Sequence, residues 1–130
     1  MKKKILILED NKEVCKLYSK FLKANGYDIT VAYDGLEGLG RLEEMVPDLI
    51  IMDVSMPRMS GVGFYQNICG SDEMPMYPIL VATGRMDLEL TFKHLPVDDV
   101  ILKPFEREEF LKKVEAILNK QLVPSTAVIR

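Results

Sequence analysis

Short uninterrupted apolar runs alternate along the chain with stretches in which hydrophobic residues return every three or four positions. Ile5–Leu8 predicts a strand, and Val14, Leu17, Tyr18, Phe21 and Leu22 recur at helical spacing as far as Asn25-Gly26, a helix stop. Asp28–Ala32 predicts a second strand, Asp34–Met45 a helix begun by an aspartate cap, and Asp48–Asp53 a third strand apolar enough for burial on both faces. Beyond Pro57 and Gly61 come a short helix over Val62–Cys69, a loop carrying Asp72, Pro75 and Pro78, and a fourth strand, Ile79–Thr83. Asp87–Leu95 reads as a brief helix stopped by Pro96 and Val100–Leu102 as a fifth strand. Arg107–Gln121 closes the pattern as a helix with Phe110, Leu111, Val114, Ile117 and Leu118 on one face.

Five strand-helix units in strict alternation predict an α/β fold, a doubly wound parallel sheet with right-handed crossovers and helices on both faces. A length of 130 residues suits one such domain, expected over 1–121, with 122–130 as a C-terminal tail or linker stub that loses the helical period at Pro124, Ser125 and Thr126. With 48% hydrophobic and 28% charged residues, the chain can bury a core of its own. The formal charge, 17 − 20 = −3, gives no general attraction for nucleic acid, so direct DNA binding is not expected. No apolar run approaches the roughly 18 residues of a membrane span. Cys15 and Cys69 are too few for a disulfide framework or a zinc site and read as reduced thiols of a cytoplasmic protein.

Open parallel sheets bind ligands beyond the carboxyl ends of their strands. There the predicted strands deliver Glu9 and Asp10, then Asp53, Thr83 and Lys103. Carboxylates about 4 Å apart repel by roughly 4 kcal/mol per pair at an effective dielectric near 20, so three acids together call for a cation. Oxygen donors with no histidine or cysteine alongside suit a hard divalent metal such as Mg2+.

Through ILILEDN, LIIMDVSMPRMSG, ILVATG and ILKPF, in that order and each at a strand end, the chain resembles the receiver domain of two-component response regulators over about residues 3 to 120. The resemblance implies a flavodoxin-like three-layer sandwich with strand order 2-1-3-4-5. It implies Asp53 as phosphoacceptor, loaded by a sensor histidine kinase, a histidine phosphotransfer protein or a small donor. Mg2+ would be held by Asp10, Asp53 and the backbone carbonyl of Ser55, with Glu9 acting through water. Lys103 would neutralise charge on the transferring group and Thr83 would offer its hydroxyl to a phosphoryl oxygen. The chain would then not be an enzyme in the ordinary sense, but a phosphoacceptor that assists its own loading and loss. Its partners would be a downstream protein or a covalently linked output domain, reached through the fourth helix, fifth strand and fifth helix; a homodimer through that surface is left open.

Four features tune these expectations. Val100 stands where the family commonly has an aromatic residue, and a β-branched aliphatic cannot make the aromatic swing, so a quieter switch is expected. The interval from Thr83 to Lys103 is a residue or two shorter than is usual in the family, and the resemblance then implies a stunted or displaced fourth helix. Arg85, two residues beyond Thr83, stands where in this family the side chain borders the path of the hydrolytic water, and the resemblance implies slowed dephosphorylation. Lys103-Pro104 resembles the family's cis peptide.

Plainer readings compete at several positions. Gly35, Gly38 and Gly40 stand as GxxGxG inside a helical pattern and read as a glycine-softened helix, not a nucleotide loop. His94 has no nucleophile near it in the pattern, and the methionines, Met74 and Met76 included, read as core gap-fillers. Asn11 and Asp53 can each be read as helix caps. Two further functions remain beside the first. A haloacid-dehalogenase-type phosphatase also pairs an aspartyl phosphate with Mg2+, but expects an aspartate where Ser55 stands and its nucleophile after the first strand. A pseudo-receiver acting only as a binding module is disfavoured by the full set of suitable side chains.

Overall fold

In the computed structural model, which describes residues 2–54, 56, 58–85 and 92–120, the sheet has five parallel strands in the order β2-β1-β3-β4-β5. The strands are β1 (Lys4–Leu8), β2 (Asp28–Ala32), β3 (Leu49–Asp53), β4 (Ile79–Thr83) and β5 (Asp99–Leu102). Between them lie α1 (Lys12–Ala24), α2 (Gly35–Leu42) and α3 (Gly61–Ile68), and a C-terminal helix spans Arg107–Lys120. Among the described residues no helix is long and apolar enough to cross a membrane.

The near-continuous apolar runs follow from burial on both faces. Ile5 and Ile7 of β1 with Leu49 and Ile51 of β3 pack against Tyr18 and Leu22 of α1 and against Phe110, Val114 and Ile117 of the C-terminal helix. Their alternates, Leu6, Leu8, Ile50 and Met52, pack on the opposite face with Phe64 and Ile68 of α3. Each fully buried aliphatic side chain contributes about 1.5–3 kcal/mol, so the central strands carry most of the stability.

Helix boundaries differ from the sequence expectation where local bonding wins. The second helix ends at Leu42, not Met45: the Glu43 and Glu44 amides bond back three residues, to Gly40 and Arg41, tightening the turn before Val46-Pro47. The third ends at Ile68 because Cys69 adopts an extended conformation and bridges Pro75. Of the predicted helix Asp87–Leu95, residues 86–91 lie outside the described residues; Phe92 and Lys93 are helical, and the chain turns over 94–96 before Pro96 can extend it. Gln121 and the tail expected over 122–130 also lie outside them. Met74 and Met76 are not gap-fillers: they are 49% and 63% exposed, on the loop that the Cys69–Pro75 bridge holds away from the core. Gly38 does more than soften its helix, since a Cβ there would meet Leu8 at 2.7 Å and Phe64 at 2.9 Å. Both cysteines are free thiols, Cys15 buried and Cys69 partly so.

Candidate functional site

Strand register assembles the acidic site. Leu8 pairs with Met52, Asp53 with Ala82 and Thr83 with Leu102, so Glu9, Asp53, Thr83 and Lys103 leave adjacent strands at the same level of the sheet. One carboxylate oxygen from each of Glu9, Asp10 and Asp53 lies within 4.8 Å of the others. The Lys103 ammonium donates to Glu9 Oε1 at 2.7 Å and stands 3.7 Å from Asp53 Oδ2. Glu9 is 3% exposed, and that burial, followed by the Asp53 charge, raises its carboxyl above the ordinary range against the opposing pull of Lys103. The Asn11 amide donates to Glu9 Oε2 at 3.2 Å and the Cys15 thiol to the Glu9 carbonyl at 3.1 Å.

Formally the cluster holds three negative charges and one positive. Its all-oxygen donors, converging beside a strand end, fit a hard divalent cation. Asp53 is not a helix cap: Ser60 caps α3 by accepting from the Gly63 amide at 3.3 Å. Asn11 does cap α1, accepting from the Glu13 and Val14 amides at 3.0 and 3.2 Å.

Thr83 is 2% exposed, and its Oγ1 accepts from the Arg85 amide at 3.1 Å. Its carbonyl accepts from the Lys103 amide at 2.8 Å, tying the β4 and β5 ends together. The Lys103–Pro104 peptide is cis. Arg85 is exposed, and Val100 is buried in β5 opposite Val81. Ser55 lies outside the described residues. His94 is exposed, in the turn that precedes β5.

Two features escaped the sequence. Gly61 opens α3 directly against the end of β3: its amide donates to the Val54 carbonyl at 2.8 Å, and a Cβ would lie 2.5 Å from the Asp53 carbonyl oxygen. That oxygen belongs to the sheet and cannot retreat, so Gly61→Ala is expected to cost about 2 kcal/mol, a fall of several degrees in Tm by calorimetry. Asp34, read only as a cap, also binds Arg58 from a different loop; no periodicity or spacing signals a pair 24 residues apart.

The doubly wound sheet carries three acids and a lysine at its carboxyl edge, and residues 5–115 match the response regulator receiver domain. The chain belongs to that family. It is 35% identical over 123 residues to the alkaline phosphatase synthesis transcriptional regulatory protein PhoP of Bacillus subtilis, covering 92% of this chain and 50% of the relative. It is 35% identical over 117 residues to hybrid signal transduction histidine kinase D of Dictyostelium discoideum, covering 88% of this chain and 8% of that one. The chemotaxis response regulator CheY4 of Vibrio cholerae superposes with a TM-score of 0.80 at 28% identity, covering 90% of this chain and 99% of the other. The chain spans about half the length of the bacterial regulators it matches.

Proposed function

We propose that Asp53 accepts a phosphoryl group and that the resulting acyl phosphate switches the protein's interactions. What carries this reading is the convergence of Asp53 with Glu9, Asp10 and Lys103 at one strand edge. An Asp53 oxygen attacks phosphorus, the bond from phosphorus to the donor's imidazole nitrogen breaks, and the electron pair returns to the ring. Asp10, Asp53 and the Ser55 carbonyl would hold Mg2+, with Glu9 acting through water. When bound, the ion offsets the charge of the incoming phosphoryl group. Lys103, already 3.7 Å from Asp53, supplies the second positive charge, and Thr83 presents its hydroxyl from the neighbouring strand end. The chain is stoichiometric, taking one phosphoryl group per Asp53, and is not a turnover enzyme.

Its donors would be a sensor histidine kinase or a histidine phosphotransfer protein. The loaded form would act on a downstream protein or on a linked output domain, in the cytoplasm, where Cys15 and Cys69 stay reduced. Incubation with acetyl phosphate tests the reading. Intact mass should rise by one phosphate with Mg2+ present and stay unchanged in EDTA; equal labelling in both, or none in either, would remove it.

Val100 is buried in the same core cluster as Val81 of β4 and Phe64 of α3 and has no ring to swing, so phosphorylation should disturb the described β5 flank only modestly. Adding beryllofluoride should therefore move the amide resonances of 97–101 little compared with those of residues 9, 10, 53 and 83; large shifts throughout β5 would refute the quiet switch. Arg85, two residues beyond Thr83 and exposed, donates its amide to Thr83 Oγ1. Arg85→Ala should shorten the acyl-phosphate half-life about threefold if the guanidinium shields phosphorus; an unchanged half-life would assign Arg85 no part in it.

A further inference from the structure

The loop that leaves Asp53 is fastened twice. Across its base, the Gly61 amide donates to the Val54 carbonyl at 2.8 Å. Its outer bend is held from the turn between β2 and α2, where the Gly35 amide donates to the Met59 carbonyl at 3.1 Å. Beside that bond Asp34, 2% exposed, divides its carboxylate: Oδ1 accepts from the Glu37 amide at 2.8 Å, and Oδ2 receives Nε of Arg58 at 2.7 Å together with its Nη2. The Glu37 bond first, then Arg58, holds the Asp34 carboxyl below its usual range.

Capping alone does not require this residue, because serine or asparagine caps as well. Arg58 also sits at φ 62°, a left-handed conformation that disfavours arginine. An unfavourable backbone pose is thus held by a two-pronged contact to a buried carboxylate. The Asp34 turn lies at the carboxyl edge of the sheet, where the Glu9 amide donates to the Ala32 carbonyl at 3.0 Å, so the clamp joins the two loops that flank the acidic cluster.

We infer that Asp34 and Arg58 are a positioning pair that fixes the loop after Asp53 and thereby sets the affinity of the acidic cluster for a divalent cation. This rests on the phosphoacceptor reading above. Electrostatics alone predicts the reverse, since removing the Arg58 cation from the edge of an acidic cluster would tighten cation binding.

Titration calorimetry with Mg2+ on the full chain decides the sign. Arg58→Asn keeps a residue that tolerates φ 62° but removes the fork, and Asp34→Asn keeps the cap acceptor but removes the charge. Each is expected to weaken Mg2+ binding three- to tenfold while Tm moves by only a few degrees. The double variant should be no weaker than either single, and Arg58→Lys should recover part of the loss. Equal or tighter binding by Arg58→Asn, the variant for which electrostatics and the clamp predict opposite signs, would overturn the clamp alone when the parent binds normally. A parent that binds no Mg2+ would overturn the phosphoacceptor reading and the clamp with it.

Discussion

Asp53→Asn is expected to abolish phosphate uptake from acetyl phosphate, with no mass gain under conditions that load the parent fully. An amide oxygen carries no charge to attack phosphorus and makes no stable acyl phosphate. The same substitution should stabilise the unphosphorylated fold. Asp53 is only 12% exposed in its side chain and stands beside two carboxylates and one ammonium at 3.7 Å, and its charge works against the buried Glu9 carboxylate. Removing it should raise stability by about 1 kcal/mol at low divalent concentration. Added Mg2+ should erase that advantage, because binding then stabilises the parent and leaves the variant nearly unmoved. A variant that still gains phosphate would displace Asp53 as acceptor. One that is less stable than the parent without metal would contradict the charge balance.

Lys103→Met should be the most damaging change to the folded site. Glu9 is 3% exposed, and Lys103 Nζ at 2.7 Å is the cation in contact with it. Breaking a fully buried pair costs about 3–5 kcal/mol; because Lys103 keeps 25% of its side-chain surface in water, about 2–3 kcal/mol is expected at neutral pH. The loss depends on pH with a definite sign. Burial already raises the Glu9 carboxyl, and without Lys103 it rises further. The folded variant therefore takes up a proton more readily than the unfolded chain, and its deficit shrinks as pH falls from 7 toward the ordinary value of 4.5. Chemical denaturation at pH 7 and at pH 5 measures this. Lys103→Arg retains the charge and most of the stability, yet it should still slow phosphorylation, on the order of a hundredfold, because a planar fork does not replace a compact ammonium aimed at one oxygen. Equal rates for Lys103→Arg and the parent would mean that charge alone is needed there.

What the sequence disclosed and withheld divides along physical lines. Leu49–Asp53 announces a strand buried on both faces because every position from 49 to 52 is apolar, and the structure buries all four. Asp10, Asp53, Thr83 and Lys103 were legible for the same reason: each follows an apolar run, and a parallel sheet carries all run ends to one edge. The end of the second helix was not, since Arg41 to Glu44 are good helix formers and the stop comes from tightening before Val46-Pro47. Met74 and Met76 misled because composition cannot tell a core methionine from one held outward by a bridge between Cys69 and Pro75. The direct contact of Lys103 with Glu9, and the second use of Asp34, depend on side chains from remote loops meeting, which no local pattern encodes.

Reductive trapping tests the central claim most directly. Borohydride converts an aspartyl phosphate into homoserine, and peptide mapping then identifies the residue. After loading with acetyl phosphate and Mg2+, the expected result is homoserine at position 53 and at no other aspartate. Homoserine at position 10 or elsewhere, or an unreduced chain despite a mass gain of one phosphate, would contradict the account.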